Sequence, residues 1–267
     1  MHTVIRAEEV ELVPALPERS SGLTRALLLG GHTGTTHTGL MLVELDGGHV
    51  DEHLHSFESS FYVFSGEPVL YLDGRGVQLG PEACGAIPPG VPHAWRSAER
   101  ARWVEAMSPR PRGPDQPADS FFLGPPSDAD PCALDVHDPR NRHLFRLGEA
   151  SSSRPFEGVT VRMLVDKRLD AELHTMFVVD LEPGAVVPAH DHPFEESYSM
   201  LEGEVGVVAD GERETLRPGD VFWTGVGCIH SFSAASSAPV RWLETQAPAP
   251  PDRYAFRFAA DWEALSA

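Results

Sequence analysis

No stretch of this chain approaches the roughly 18 consecutive apolar residues of a membrane-spanning helix. Its start, "MHTVIRAEEVELVPALPERS", has neither the basic segment nor the long apolar segment of a secretory signal, so neither membrane insertion nor export is expected. Cysteine is scarce: Cys84, Cys132 and Cys228 lie far apart and form no C-x-x-C pair. An odd, scattered count excludes a disulfide framework and predicts free thiols in a reducing, cytoplasmic setting. Positive charge is also short, with 21 Lys and Arg against 40 Asp and Glu and a formal net charge of -19. Nucleic-acid backbones and anionic lipid are held mainly by Lys and Arg, so both are excluded as partners. Helical periodicity is nearly missing, and only the C-terminal "AADWEALSA" reads as a short helix.

What the chain does have is a repeat. At 267 residues it has room for two domains of ordinary size, and 41% hydrophobic content supports a packed core in each. Placing His53 over His190 aligns His55 with His192, Phe57 with Phe194, Gly66-Glu67 with Gly203-Glu204, and His93 with His230 without a gap. Further on, "RWVEAMSPRP" from Arg102 matches "RWLETQAPAP" from Arg241 after a change of two residues in length. Repeats in register mean that one architecture is built twice.

Each copy reads as all-β. "LMLVEL" and "HTMFVVDL" are short, apolar and rich in strand-forming residues. Asp73-Gly74 and Asp210-Gly211 sit between candidate strands as hairpin signals, and further turn signals recur every ten or so residues. Many short strands with this punctuation predict a sandwich or barrel. The expected division is 1–108 for the first copy with leading strands, 109–158 for an ordered Pro- and Asp-rich linker with "SFFLG" anchored to a core, and 159–267 for the second copy.

The chemistry concentrates in "HDHPFEESYSMLEG", His190 to Gly203. Side chains at i and i+2 of a strand share a face, so His190 and His192 point the same way. A turn then lets Glu196 return on the next strand, and His230 from a distant strand closes the set. Three imidazoles and one carboxylate suit a divalent transition metal (Mn, Fe, Ni, Cu or Zn) and leave positions open for a small-molecule substrate. Tyr198 and Met200 share strand parity with Glu196 and, with Trp223 and Phe232, are pocket candidates.

The order G-x5-H-x-H-x3-E-x6-G followed by G-x5-[P/G]-x-G-x2-H resembles the cupin superfamily, and its duplication resembles a bicupin. The resemblance implies two tandem cupin (jelly-roll) β-barrels with His190, His192, Glu196 and His230 as metal ligands. Gly225 and Ala234 depart from the usual residues of the second motif, at positions that are not ligands. The first copy offers a second metal site from His53, His55 and His93, but Ser59 stands where Glu196 does. Glu58 is one residue early, which in a strand turns a side chain to the other face unless a bulge intervenes.

The layout of a short bicupin with the fuller site in its second half is similar to ureidoglycine aminohydrolase. In that family the ligand positions read Glu, His, His and Gln, so only His192 keeps both type and place. The first expectation is therefore a metal-dependent enzyme, hydrolase- or lyase-like, acting on a small polar metabolite. The second is an Fe(II) dioxygenase, because three histidines and a glutamate are similar to the set of quercetin-type cupin oxygenases. The third is a non-catalytic ligand-binding cupin. Arg162, Lys167, Arg168, His174 and Arg241 are candidates to meet an anionic substrate, and no catalytic acid or base is assigned. Exposed edge strands predict a homo-oligomer.

Overall fold

A computed structural model describes residues 1–112, 119–234, 237–250 and 257–258. Among these the only helical pieces are three-residue 3-10 turns, and the rest of the regular structure is strand. The short helix expected in "AADWEALSA" lies outside the described residues. No described helix is long and apolar enough to cross a membrane. The chain forms two compact units, and their boundaries differ from those expected at 108 and 158. One unit comprises Met1–Val10, Ala150–Met163 and His174–Ala267, and the other Glu11–Glu149 and Leu164–Leu173.

In the first-repeat unit two long strands, Gly39–His55 and His93–Ser108, run antiparallel from Gly39↔Met107 to His53↔His93. The ladder shifts register between Asp46 and Gly48 and again between Val50 and His53. Such bulges bend a strand and let it serve both faces of a sandwich. Inward residues alternate along each strand, so Val43, Leu45, Trp95 and Trp103 enter one core, with Trp95 stacked on Trp103 at 4.6 Å. The segment expected to be a linker is largely built into this unit. Ser120–Gly124 pairs with Gly39–His55, Phe122 packs on the core, and Leu144–Arg146 pairs with Ala83–Ile87.

In the second-repeat unit the same path is cut in pieces. Thr175–Leu181 and Val186–Asp191 are separated at Pro183-Gly184, where Gly184 has φ +78°. A proline without an N–H followed by a left-handed glycine ends the ladder. The result is a seven-stranded sheet and a five-stranded sheet with no strand pairing between them among the described residues. Closed barrels were expected. Closure requires every strand to be paired on both sides, and these sheets keep open edges, so each repeat is a jelly-roll sandwich.

The transfer of residues 1–10 has a clear physical cause. His2–Ile5 pairs antiparallel with Val221–Thr224. The next residue, Arg6, donates to Asp220 at 3.0 Å and to Glu214 at 2.5 Å, while the Ala7 N–H donates to the other Asp220 oxygen at 3.0 Å. Asp220 is nearly buried, so loss of the arginine leaves its charge poorly compensated. Arg6→Ala should cost about 1–2 kcal/mol, read as a lower urea midpoint; an unchanged midpoint would mean that the clamp contributes nothing.

Candidate metal centres

In the second-repeat unit the ligand atoms of His190, His192 and His230 lie within 4.8 Å of one another, and all three residues are buried. His190 and His230 face each other as ladder partners. The Nδ1 atoms of His190 and His230 lie against the carbonyl oxygens of Pro188 and Cys228. A carbonyl only accepts, so Nδ1 carries the proton and Nε2 is the ring nitrogen left to serve as a metal ligand. His192 is held differently, by stacking on Phe194 at 4.7 Å.

Glu196 completes the cluster. Its Oε1 lies 3.2 Å from His192 Nε2 and its Oε2 lies 3.3 Å from His230 Nε2. Three neutral groups hold the carboxylate in place: the Tyr198 hydroxyl at 2.5 Å, the Gln246 amide at 2.9 Å and the Thr224 hydroxyl at 3.4 Å. Burial opposes its ionisation, yet His192, His230 and the Tyr198 hydrogen bond hold its pKa below the usual carboxylate range. The neighbouring Glu244 moves the other way, pushed well up by burial and by the charge of Glu196. Its carboxyl also accepts the indole N–H of Trp242 at 2.9 Å. Three imidazole nitrogens and one ionised carboxylate form a donor set suited to a divalent transition metal.

The first-repeat unit gathers His53, His55 and His93 as tightly, with ligand atoms within the same 4.8 Å limit and all three buried. Nδ1 of His53 donates to Asp51 at 2.7 Å and Nδ1 of His93 to Val91 at 3.0 Å. His55 stacks on Phe57 at 4.2 Å. The outer support of the triad is thus repeated residue for residue. What differs is the fourth position. The Glu58 carboxylate accepts the backbone N–H groups of Glu172 at 2.8 Å and Leu173 at 3.0 Å. Ser59, with Ile87 and Met107 as its ladder partners, occupies the place of Glu196, with Thr224 and Gln246 as its partners. Phe61 stands for Tyr198 in the same register. The carboxylate and all three of its hydrogen-bonding partners are replaced together.

Of the pocket candidates, Tyr198 is inside the cluster, its hydroxyl also 3.0 Å from His230 Nε2. Met200 and Phe232 belong to the core, although the Phe232 ring reaches within 5.7 Å of the His230 ring. Trp223 is a correction: it alternates with Phe222 and Thr224, so it lies on the opposite face of the strand from Glu196. Two of the basic candidates are engaged elsewhere, since Arg162 and Arg241 both bind Asp180. The sequence reading passed over Arg25 on strand Ser20–Leu29. It pairs with Val43, shares parity with the core residues Leu23 and Leu27, and has a buried Nε without a hydrogen-bond partner. Alternation around "LTRAL" could have indicated its direction, but an inward arginine in a core strand breaks the usual pattern.

The buried histidines imply a pH dependence of the metal-free protein. Burial holds His190 and His93 down to about 4 from the ordinary 6.5, and holds His53 and His55 well below it. Between those values the unfolded chain binds more protons than the folded one, so stability falls as pH drops through the window. His230 opposes this trend: burial lowers its pKa, but Glu196 raises it by more. The urea midpoint should be lower at about pH 5 than at about pH 7; equal midpoints would contradict buried neutral histidines.

Comparison with known proteins bears on the family. The cupin domain model matches twice, over residues 40–107 and 177–245. No curated protein matches. Among solved structures, the chain is similar to Bacillus subtilis oxalate decarboxylase in a study of its Mn(II) centres, at TM-score 0.70 and 16% identity, covering 98% of this chain and 80% of that one. A two-residue deletion mutant of that enzyme aligns at TM-score 0.69, 16% identity, 98% and 80% coverage. The same enzyme at pH 4.6 aligns at 0.69 and 16%, with 98% and 79% coverage. At this identity the likeness concerns the fold.

Proposed function

The chain belongs to the cupin domain family, with the domain present twice, and from that premise we propose that it is a metal-dependent bicupin enzyme acting on a small polar metabolite. The second-repeat unit holds the catalytic ion through His190, His192, Glu196 and His230. The observation that carries this reading is the Glu196 carboxylate, set beside His192 and His230 and held by Tyr198, Thr224 and Gln246. A bound divalent ion would supply Lewis acidity and open positions for substrate donors.

The chain's own groups account for the rest. Nδ1 hydrogen bonds to Pro188 and Cys228 orient the rings of His190 and His230. Apolar residues around the cluster, Phe194, Phe222 and Phe232, exclude water and strengthen electrostatic interactions inside. The Tyr198 hydroxyl sits between Glu196 and His230 and is the nearest neutral proton donor to a ligand bound there. The oxalate decarboxylase likeness favours a small carboxylate over ureidoglycine as the metabolite, since it extends over 98% of the chain.

A second reading, an Fe(II) dioxygenase, draws on the same four donors. The experiment that separates them uses protein loaded with Mn(II) or Fe(II) and supplied with oxalate, ureidoglycine or a flavonol. Carbon dioxide release from oxalate without net dioxygen consumption supports the first reading. Stoichiometric dioxygen uptake supports the oxygenase, and ammonia release from ureidoglycine supports an aminohydrolase. Binding without turnover of any of these would overturn the enzyme reading in favour of a ligand-binding cupin.

A further inference from the structure

One more group of metal-ligating side chains lies outside both triads. Ligand atoms of His2, Asp210 and Cys228 lie within 4.8 Å of one another, the same limit that the triads meet. They come from three segments of the second-repeat unit. His2 leads the strand His2–Ile5 and pairs with Thr224, and the Met1 carbonyl beside it accepts the Gly225 N–H at 2.9 Å. Asp210 sits at the tip of the hairpin between Val205–Ala209 and Glu212–Leu216. Cys228 closes the turn that starts at Gly225, whose carbonyl accepts the Cys228 N–H at 3.0 Å. Asp210 and Ile229 exchange two hydrogen bonds, at 2.8 and 3.1 Å, which tie hairpin and turn together next to the thiol.

Backbone needs account for only one of these donors. Asp73 of the first repeat matches Asp210 and is also left-handed, at φ +50° against +48°, so turn chemistry explains the aspartate. Val91 matches Cys228, and its carbonyl holds His93 Nδ1 as the Cys228 carbonyl holds that of His230. Valine thus does the backbone work of this position, and the thiol is an addition of the second repeat. The surroundings favour a cation. The Met1 amino group binds Asp210, and Glu212 lies 3.6 Å from the His2 ring. Cys228 is buried, whereas His2 is half-buried and Asp210 exposed, so the group opens to solvent on one side.

We propose that His2, Asp210 and Cys228 bind a Zn(II) ion that fastens the N-terminal strand to the Asp210 hairpin. Thiolate, imidazole and carboxylate are the donors that zinc takes, and a thiolate disfavours the harder Mg(II) and Ca(II). At bond lengths of about 2.0–2.3 Å the donors of a tetrahedral zinc lie about 3.6 Å apart, so a movement of about 1 Å by the His2 and Asp210 side chains closes the cage on the buried sulfur. The thiol proton leaves as the ion binds. The ion displaces the Met1 amino group from Asp210, and water takes the fourth position with Glu212 alongside. No ligand is shared with either triad, so the site stands apart from the proposed function.

The test uses the full chain with Co(II) in place of zinc. A thiolate bound to Co(II) gives an intense near-ultraviolet charge-transfer band, which the sulfur-free triads cannot produce. Co(II) should raise this band to saturation, and Zn(II) should bleach it. Cys228→Val, which installs the first repeat's residue, should abolish the band. His2→Gln and Asp210→Asn should each weaken Co(II) at least tenfold as read by the band, and Cys132→Ser should leave it unchanged. Circular dichroism checks that each variant keeps its strand signature. His2→Gln, on an edge strand, carries the test if Cys228→Val does not fold. No band, a band that survives Cys228→Val, or an affinity unchanged by either His2→Gln or Asp210→Asn would overturn the proposal.

Discussion

His190→Ala or His230→Ala should empty the second-repeat unit of metal, lowering its affinity by more than about 100-fold, because losing even an outer-shell partner costs about 10–100-fold. The two histidines are ladder partners from different strands, and each ring is pre-oriented by a backbone carbonyl. Removing either breaks a donor set that otherwise includes His192 and Glu196. Elemental analysis of purified protein checks this, with metal at the first-repeat triad counted separately by His55→Ala. That variant should leave the second-repeat metal in place. Full metal content at the second site in both alanine variants would sink the assignment.

Glu196→Ser should have the next largest effect, on affinity and stability together. It leaves the buried Thr224 hydroxyl without its carboxylate acceptor, Tyr198 with only His230 and Thr224, and the half-buried Gln246 amide with only Glu244. A buried group left unsatisfied costs about 1–3 kcal/mol, so the metal-free variant should lose at least about 1 kcal/mol even though a buried charge has gone. The first repeat suggests the remedy. Glu196→Ser combined with Tyr198→Phe, Thr224→Ile and Gln246→Met reproduces the Ser59, Phe61, Ile87 and Met107 set. Removing both sides of a buried polar network is far less costly than removing one. The fourfold variant should therefore recover most of the lost stability while its metal affinity stays low. Urea midpoints with and without chelator separate the two effects. A single variant as stable as the fourfold one would show that the four residues do not act as a unit.

Much of this was legible from spacing. H-x-H in a strand places two rings on one face whatever the rest of the chain does, and the in-register repeat marked His93 and His230 as the distant partners. Asp-Gly and Pro-Gly pairs located the turns that cut each repeat into strands. The one-residue offset of Glu58 was visible in the sequence, and in the structure its carboxylate holds the backbone at Glu172 and Leu173. Trp223 was misplaced because aromatic type was weighed above parity, whereas Phe222 and Thr224 on either side already define the inner face.

Other features needed the fold. Nothing local in "MHTVI" says that it will pair with Val221–Thr224 rather than with the repeat that follows it. The quartet around Glu196 comes from three strands. The amino-acid order by itself determined the all-β architecture, its duplication and the two histidine triads, because strand parity and turn chemistry act over a few residues. Only the tertiary structure decided which strands exchange between repeats, that the sheets stay open, and that Tyr198, Thr224 and Gln246 converge on the Glu196 carboxylate. Those outcomes depend on long-range ladder pairing, where residues as far apart as His2 and Thr224 meet at about 5 Å and no local pattern records the choice.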